Sequence, residues 1–300
     1  MNIAIFGGSF DPPHKGHFEI IKHLSTMDFL DLIIVLPAFL NPLKKQTLFS
    51  AQNRFEWLRI LTKDFPKIIV SNYEIEQNKP NYTIDSILYF KKIYNPNRIF
   101  LVIGADIVKD LPKWHKIELI KKEVDFIIAK RDNISFDTIK KNAVYLEIKE
   151  PCKSSDIRGY LCGNFIDSKI ESYLLDSIKS QIQNEVKYLK IKDRVDFIVH
   201  LLDSKKAEDI AFFDLTKSNY ITQYVIIATS LADKHSFALL DTLKNELKPQ
   251  GEIFYATDED NGDWIIADLG DIMIHIFTQN HRKKFNLEEF LTNYQNNKIR

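Results

Sequence analysis

Apolar residues come in short unbroken runs along the first half of the chain. Residues 3–6, 32–36, 68–70, 99–103, 126–129 and 143–146 are each continuously apolar. Runs of that length without alternation predict strands covered on both faces. Between them the apolar spacing opens to three or four. Phe18, Ile21 and Leu24 predict one helix, and Phe55, Leu58 and Leu61 behind Ser50 as N-cap predict another. A third helix is predicted at about 83–94. Strands alternating with helices at this spacing predict a doubly wound parallel α/β sheet, a Rossmann-like arrangement.

A second pattern follows. Residues 165–186 read as a helix with Ile170, Leu174, Ile178 and Ile182 at a repeat of four, and the lysine-rich stretch 187–193 carries no glycine or proline to stop it. A helix around 195–202 then precedes strands at 210–214 and 224–228. Another helix, about 231–247, is stopped by Pro249 and Gly251. Paired strands at 264–268 and 272–277 are turned by Leu269-Gly270-Asp271, good hairpin residues. No internal repeat is visible. The pattern predicts two domains, 1–185 and 186–300, the second a small α/β domain with a mixed sheet.

Composition narrows the class. The 300 residues carry 41 Lys plus Arg against 41 Asp plus Glu, so no net field favours nucleic acid or an anionic membrane. The beginning of the sequence lacks the basic flank of a signal peptide. No apolar run approaches the ~20 residues of a membrane helix. Cys152 and Cys162 form neither a metal-ligand cluster nor a disulfide framework. The expectation is a reduced, soluble, cytoplasmic protein with no metal-ligating side-chain set, no DNA and no membrane partner.

The candidate chemistry starts at residues 3–17, IAIFGGSFDPPHKGH. A buried strand, the glycine pair Gly7-Gly8 as a turn, and a helix beginning near His14 and His17 make a place for phosphate, because free amides and the helix dipole point there. His14-Lys15-Gly16-His17 resembles the (H/T)xGH signature of nucleotidylyltransferases. With GGSFDPPH around it, the string is most similar to the nicotinate mononucleotide adenylyltransferase family. Further stretches fit the same family in order. PAFLNPLKK (37–45) resembles its lysine-bearing loop, and PNYTIDS (80–86) its P-S-Y-T-x-D-T element. Gly104-Ala105-Asp106 with Leu111 and Trp114 resembles its GAD…L..W element, and CKSSDIR (152–158) its (I)SSTxIR signature. Cys152, Lys153 and Ser155 depart from the usual isoleucine, serine and threonine.

The resemblance, over about residues 1–180, implies transfer of AMP from ATP to nicotinate mononucleotide, with Mg²⁺ and with pyrophosphate leaving. It implies His14, His17, Lys44 and Arg158 as catalytic groups on the phosphates. Gly7, Gly8, Ser9, Phe10, Gly104, Asp106, Arg131, Ser154 and Ser155 would bind ATP, with Ser154 or Ser155 read as a helix cap facing phosphate. Tyr82, Thr83 and Trp114 would bind the mononucleotide, the tryptophan as a stacking surface for the pyridine. A preference for the amidated mononucleotide, or a related transferase acting on phosphopantetheine, remains open on these residues.

The second domain offers no catalytic constellation. Asp268 and Asp271 bracket a glycine and read as turn residues, and His275 as a satisfied core or surface histidine. Residues 202–210 (LDSKKAEDI), 220–229 and WIIADLGDIMIHIF (264–277), closing with Arg282, Phe285 and Leu287-Glu288, resemble the ribosomal silencing factor (Iojap) family. That resemblance, over about 190–292, implies binding to protein fourteen of the large ribosomal subunit and a block on subunit joining. Trp264, Gly270, Asp271 and Phe277 are the candidates for that face. The alternative is a plain interaction or dimerisation module, with a homodimer left open.

Overall fold

The fold is that of a computed structural model, which describes residues 1–130, 143–150, 152–161 and 172–296. The chain divides into two compact units, Met1–Val186 and Lys187–Arg300.

In the first unit the apolar runs become six strands: β1 Asn2–Gly8, β2 Leu32–Pro37, β3 Ile68–Val70, β4 Arg98–Gly104, β5 Asp125–Lys130 and β6 Ala143–Glu147. Every pairing is parallel, in the order β3-β2-β1-β4-β5-β6. This is the doubly wound arrangement expected. Side-chain alternation explains how one sheet holds two cores. Ile3, Ile5, Ile34, Leu101 and Ile128 face one layer, which includes Ile84, Ile87 and Phe90. Ala4, Phe6, Ile33, Val35 and Ile127 face the other, which includes Ile20, Ile21, Leu24 and Leu58. The helices are α1 Lys15–Ser25, α2 Ala51–Thr62, α3 Tyr73–Glu76, α4 Thr83–Tyr94, α5 Ile117–Glu123 and α6 Ser154–Leu161, with a 3-10 helix at Ala105–Lys113. Ser50 caps α2, its side chain accepting from the Asn53 amide at 3.1 Å. The strand order reverses between β1 and β4, and in open sheets of this kind ligands bind beyond the strand ends at that point.

Helix α7, Asp176–Ser204, runs unbroken for 29 residues. It absorbs the predicted linker and the helix predicted around 195–202, and the division between the units falls inside it. Residues 162–171, the start of the predicted 165–186 helix, lie outside the described residues.

The second unit is a five-stranded mixed sheet, order β7-β8-β11-β10-β9, from β7 Glu208–Asp214, β8 Tyr224–Ser230, β9 Ala256–Asp258, β10 Trp264–Asp268 and β11 Ile272–Thr278. Only β8 and β11 pair in parallel. Ile191, Val195, Ile198 and Leu202 cover one face together with Leu239, Leu240 and Leu243 of α8, Asp233–Leu247. The other face holds Val225, Ile227 and Phe277 against Leu291. Leu291 lies in α10, Leu287–Asn296, which follows α9, Gln279–Phe285. Neither of these last two helices is predicted from the pattern above.

Candidate functional site

The first unit gathers its polar groups at the carboxyl ends of β1 and β2. Gly8 pairs with Pro37, and the Ala38 amide donates to the Gly8 carbonyl at 2.9 Å, so the two following loops leave the sheet side by side. The predicted glycine turn is displaced by two residues. Gly7 and Gly8 end β1, and the left-handed backbone falls on Phe10, at φ 47°. Phe10 tolerates that conformation because its ring is locked in the core, edge-on to Phe6 at 5.2 Å and to His17 at 4.9 Å. Gly8 serves this ring: a Cβ there would come within 3.1 Å of it.

His14 caps helix α1, its Nδ1 accepting from the His17 amide at 3.4 Å. That bond selects the neutral tautomer with the proton on Nε2. The two imidazoles stack with centroids 3.7 Å apart. Cys152 lies beneath them, its Sγ 3.2 Å from His14 Nδ1 and 3.3 Å from the Gly16 amide. Glu19, on the same helix, accepts from the amides of Lys149 and Glu150 at 3.0 Å. The chain after β6 is thereby tied to α1, which carries α6 to the site.

From α6, Arg158 Nη1 donates to the Asp11 carbonyl at 2.7 Å and stands 3.6 Å from the Asp11 carboxylate. Ser154 and Ser155 do not cap this helix; they are its first two residues. The Ser154 hydroxyl points at the Pro12 carbonyl at 3.5 Å, and the Ser155 hydroxyl donates to Asp156 at 3.1 Å. Lys44 is exposed on the β2 loop. Partial desolvation first, and the neighbouring Arg158 cation second, lower its pKa, against the opposing pull of Asp11. Lys44, Arg158 and the His14–His17 pair thus belong to one electropositive locality.

Two residues in that locality carry no predicted role. Arg54 is fully buried on α2, and burial lowers its pKa. Its guanidinium donates to the carbonyls of Ser9 (2.6 Å), Ala38 (2.8 Å), Phe39 (3.0 Å) and Phe49 (3.1 Å). Asp11, also buried, accepts from the amides of Leu48 and Phe49, each at 3.0 Å. One signal for Arg54 was present: with Trp57, Leu58 and Leu61 it occupies the buried face of its helix, where an unpartnered charge is costly.

Gly104 and Asp106, predicted to bind ATP, lie at the carboxyl end of β4, while the predicted acceptor residues Tyr82 and Thr83 stand at the start of α4 and Trp114 follows the 3-10 helix. Gly104 ends that strand, and the Asp106 carboxylate fills the space a side chain at 104 would need. Thr83 opens α4. Tyr82 is 46 % exposed, and its ring lies 4.4 Å from that of His115, beside Trp114. Trp114 is half-buried and packs on the same core as Ile84. His115 is therefore a neighbour of this group that the motifs did not single out. Arg131 lies outside the described residues.

In the second unit, Phe277 is 0 % exposed and belongs to the core. This corrects its assignment to a binding face: β11 is a central strand covered on both sides, so alternation gives it no outer face. Trp264 is half-buried, stacked on Phe277 at 4.9 Å and tilted against Phe285 at 4.7 Å; its Nε1 donates to His275 Nδ1 at 3.1 Å. His275 is a core histidine, and burial pushes its pKa down to about 4. Gly270 takes φ 86° in the hairpin turn, and Asp268 accepts its amide at 2.7 Å, as turn chemistry requires. Asp271 instead pairs with Arg194 at 2.8 Å, and Arg194 also grips Glu252, on the wall of a cleft of about 430 Å³.

Among the described residues no group of three or more His, Cys, Asp or Glu side chains is placed to hold a metal ion, and no helix is long and apolar enough to cross a membrane.

Comparison with known proteins gives both halves a relationship. Residues 5–160 match the family model described as cytidylyltransferase-like, and residues 189–300 the model for "ribosomal silencing factor during starvation". A probable nicotinate-nucleotide adenylyltransferase of Campylobacter fetus is 42 % identical over 161 residues, covering 54 % of this chain and 87 % of that protein. The corresponding protein of a Sulfurovum species is 38 % identical over 180 residues, covering 60 % and 95 %. The solved Plasmodium falciparum nicotinic acid mononucleotide adenylyltransferase, complexed with NaAD, superposes with a TM-score of 0.53. It is 21 % identical and covers 64 % of this chain and 97 % of that one, a likeness of fold.

Proposed function

The chain belongs to the nicotinate-nucleotide adenylyltransferase family through its first unit and carries a ribosomal silencing factor domain in its second, and on that premise we propose a two-function protein. The first domain, 1–185, transfers AMP from ATP to nicotinate mononucleotide. The second, 186–300, binds protein fourteen of the large ribosomal subunit and keeps the small subunit from joining. Both activities belong to the cytoplasm.

One observation carries the first reading: Lys44, Arg158 and the His14–His17 pair converge from three separate segments on the loop after β1. In-line adenylyl transfer needs no covalent intermediate from the protein. It needs two polyanions aligned and charge stabilised as the acceptor phosphate attacks the α-phosphate and pyrophosphate leaves. In this reading His14 Nε2–H and His17 hold the ATP phosphates against Gly7, Gly8, Ser9 and Phe10, and Lys44 and Arg158 stabilise the developing charge. Ser154 and Ser155 offer the first amides of α6, while Gly104 and Asp106 take the adenosine side. Tyr82, Thr83 and Trp114 take the nicotinate mononucleotide. A cation-rich site suits a Mg²⁺ ion held chiefly by phosphate oxygens and water, with Asp106 as the candidate protein ligand. That ion, when bound, neutralises charge on the departing pyrophosphate.

For the second domain the candidates are Trp264 with its aromatic neighbours and the Gly270–Asp271 turn. A neutral chain with a half-buried tryptophan suits a protein surface better than an RNA backbone.

The purified chain with ATP, Mg²⁺ and nicotinate mononucleotide should release pyrophosphate, and His17→Ala should lower the rate by about 100-fold or more. Faster turnover of the amidated mononucleotide or of phosphopantetheine in competition would reassign the acceptor. The chain should also co-sediment with large ribosomal subunits, and Trp264→Ala should weaken that association; no co-sedimentation at low salt removes the ribosomal half.

A further inference from the structure

The loop that carries Lys44 is held at both ends by two buried charges. At its start, Arg54 donates from Nη2 to Phe39 and from Nη1 both to Ala38 and to Ser9 on the phosphate loop. At its end, Asp11 takes the Leu48 and Phe49 amides on its two oxygens, while Arg54 Nε takes the Phe49 carbonyl. Asp11 also faces Arg158 through its carbonyl and carboxylate. Between these grips the loop contains its own turn, with Asn41 accepting from the Leu43 and Lys44 amides at 2.8 Å each.

We propose that Asp11 and Arg54 are positioning residues for the transfer reaction: they weld the Lys44 loop to the phosphate loop, so that Lys44 stands at a fixed place beside Arg158. Two considerations support a role beyond folding. Among the described residues the buried Arg54 guanidinium forms no salt bridge; peptide dipoles and the Asp11 charge stabilise it, and all four carbonyls that it meets flank the two loops of the site. A buried carboxylate that accepts two amides while facing Arg158 ties loop geometry to the charge of the site itself. The bonds are directional and engage all three nitrogens of the guanidinium fork, four of its five N–H groups, which an ammonium cannot imitate.

The inference rests on the functional reading above, and a double-mutant cycle on the full chain separates the two. Asp11→Asn turns one acceptor into a donor aimed at an amide N–H, and Arg54→Lys keeps the charge but loses the fork. Each should lower kcat by about 10- to 100-fold, the cost of an ångström-scale misplacement, with a smaller change in KM for ATP. Lys44→Ala should cost about 10-fold or more in the native background and less than about twofold in either variant, because Lys44 is then already displaced. Thermal unfolding checks that each variant is folded; where one has lost its transition, the other carries the cycle. Independent, multiplicative effects would overturn the clamp, as would a silent Lys44→Ala. A silent His17→Ala would instead overturn the functional reading.

Discussion

Protonating His275 would set two N–H groups against each other, its own Nδ1–H and the Trp264 indole. Burial holds its pKa at about 4 in the folded chain, against about 6.5 when unfolded. Between these values the unfolded chain binds the extra proton, so the stability from this residue is whole above about pH 6.5 and falls as pH drops toward 4. The full loss is on the order of 3 kcal/mol. Denaturant unfolding of the full chain at about pH 7 and about pH 5 should show this fall, and His275→Gln, which keeps an acceptor for the indole, should flatten it. An equal slope in the variant would refute the assignment. At Cys152 the expectation is kinetic. Cys152→Ala removes one partner of His14 Nδ1, beside the His17 amide, and should slow pyrophosphate release about fivefold, the rate equivalent of a ~1 kcal/mol hydrogen bond. Cys152→Ser should restore most of that rate.

At the scale of elements, the parallel strands were legible because unbroken apolar runs have one good use, burial on both faces. Helix α4 is found where the spacing predicts it, at Thr83–Tyr94. What escaped is short or depends on distant partners. Helix α3 and strand β9 have four and three residues, too few for a period to emerge. Phe277 was named as a face residue within the matching motif, and the motif does not reveal that β11 is nearly all buried. The hydrogen-bond partners of Asp11 and Arg54 were not legible, because they are chiefly backbone carbonyls and amides, which every residue has; only the place of Arg54 on a buried helix face hinted at them. The Gly8 contact gives the element-scale prediction. Gly8→Ala would press a Cβ into the Phe10 ring, and with Phe10 held at φ 47° the clash should cost about 1–3 kcal/mol of the first unit's stability, read by thermal unfolding.

At the scale of the whole molecule, helix α7 belongs to both units. Ile178 and Ile182 are buried in residues assigned to the first, while Ile191, Val195, Ile198 and Leu202 are core to the second. A fragment beginning at Lys187 should therefore fold. One beginning at Asp203 forfeits four buried side chains at about 1.5–3 kcal/mol each, comparable to a domain's entire stability. Circular dichroism of the two fragments checks this, and a folded shorter fragment would refute it.

The same helix sets an order of assembly during synthesis. Its leading half completes the residues of the first unit, so that unit can close while Lys187 and everything after it are still being made. Its trailing half must wait for β11, whose Ile272, Ile274 and Ile276 share a core with Ile191 and Val195 some eighty positions earlier. Until that strand emerges, a ready-made apolar helix face stands without its sheet. The first unit can therefore be a folded body while the second still waits for β11 to complete its sheet.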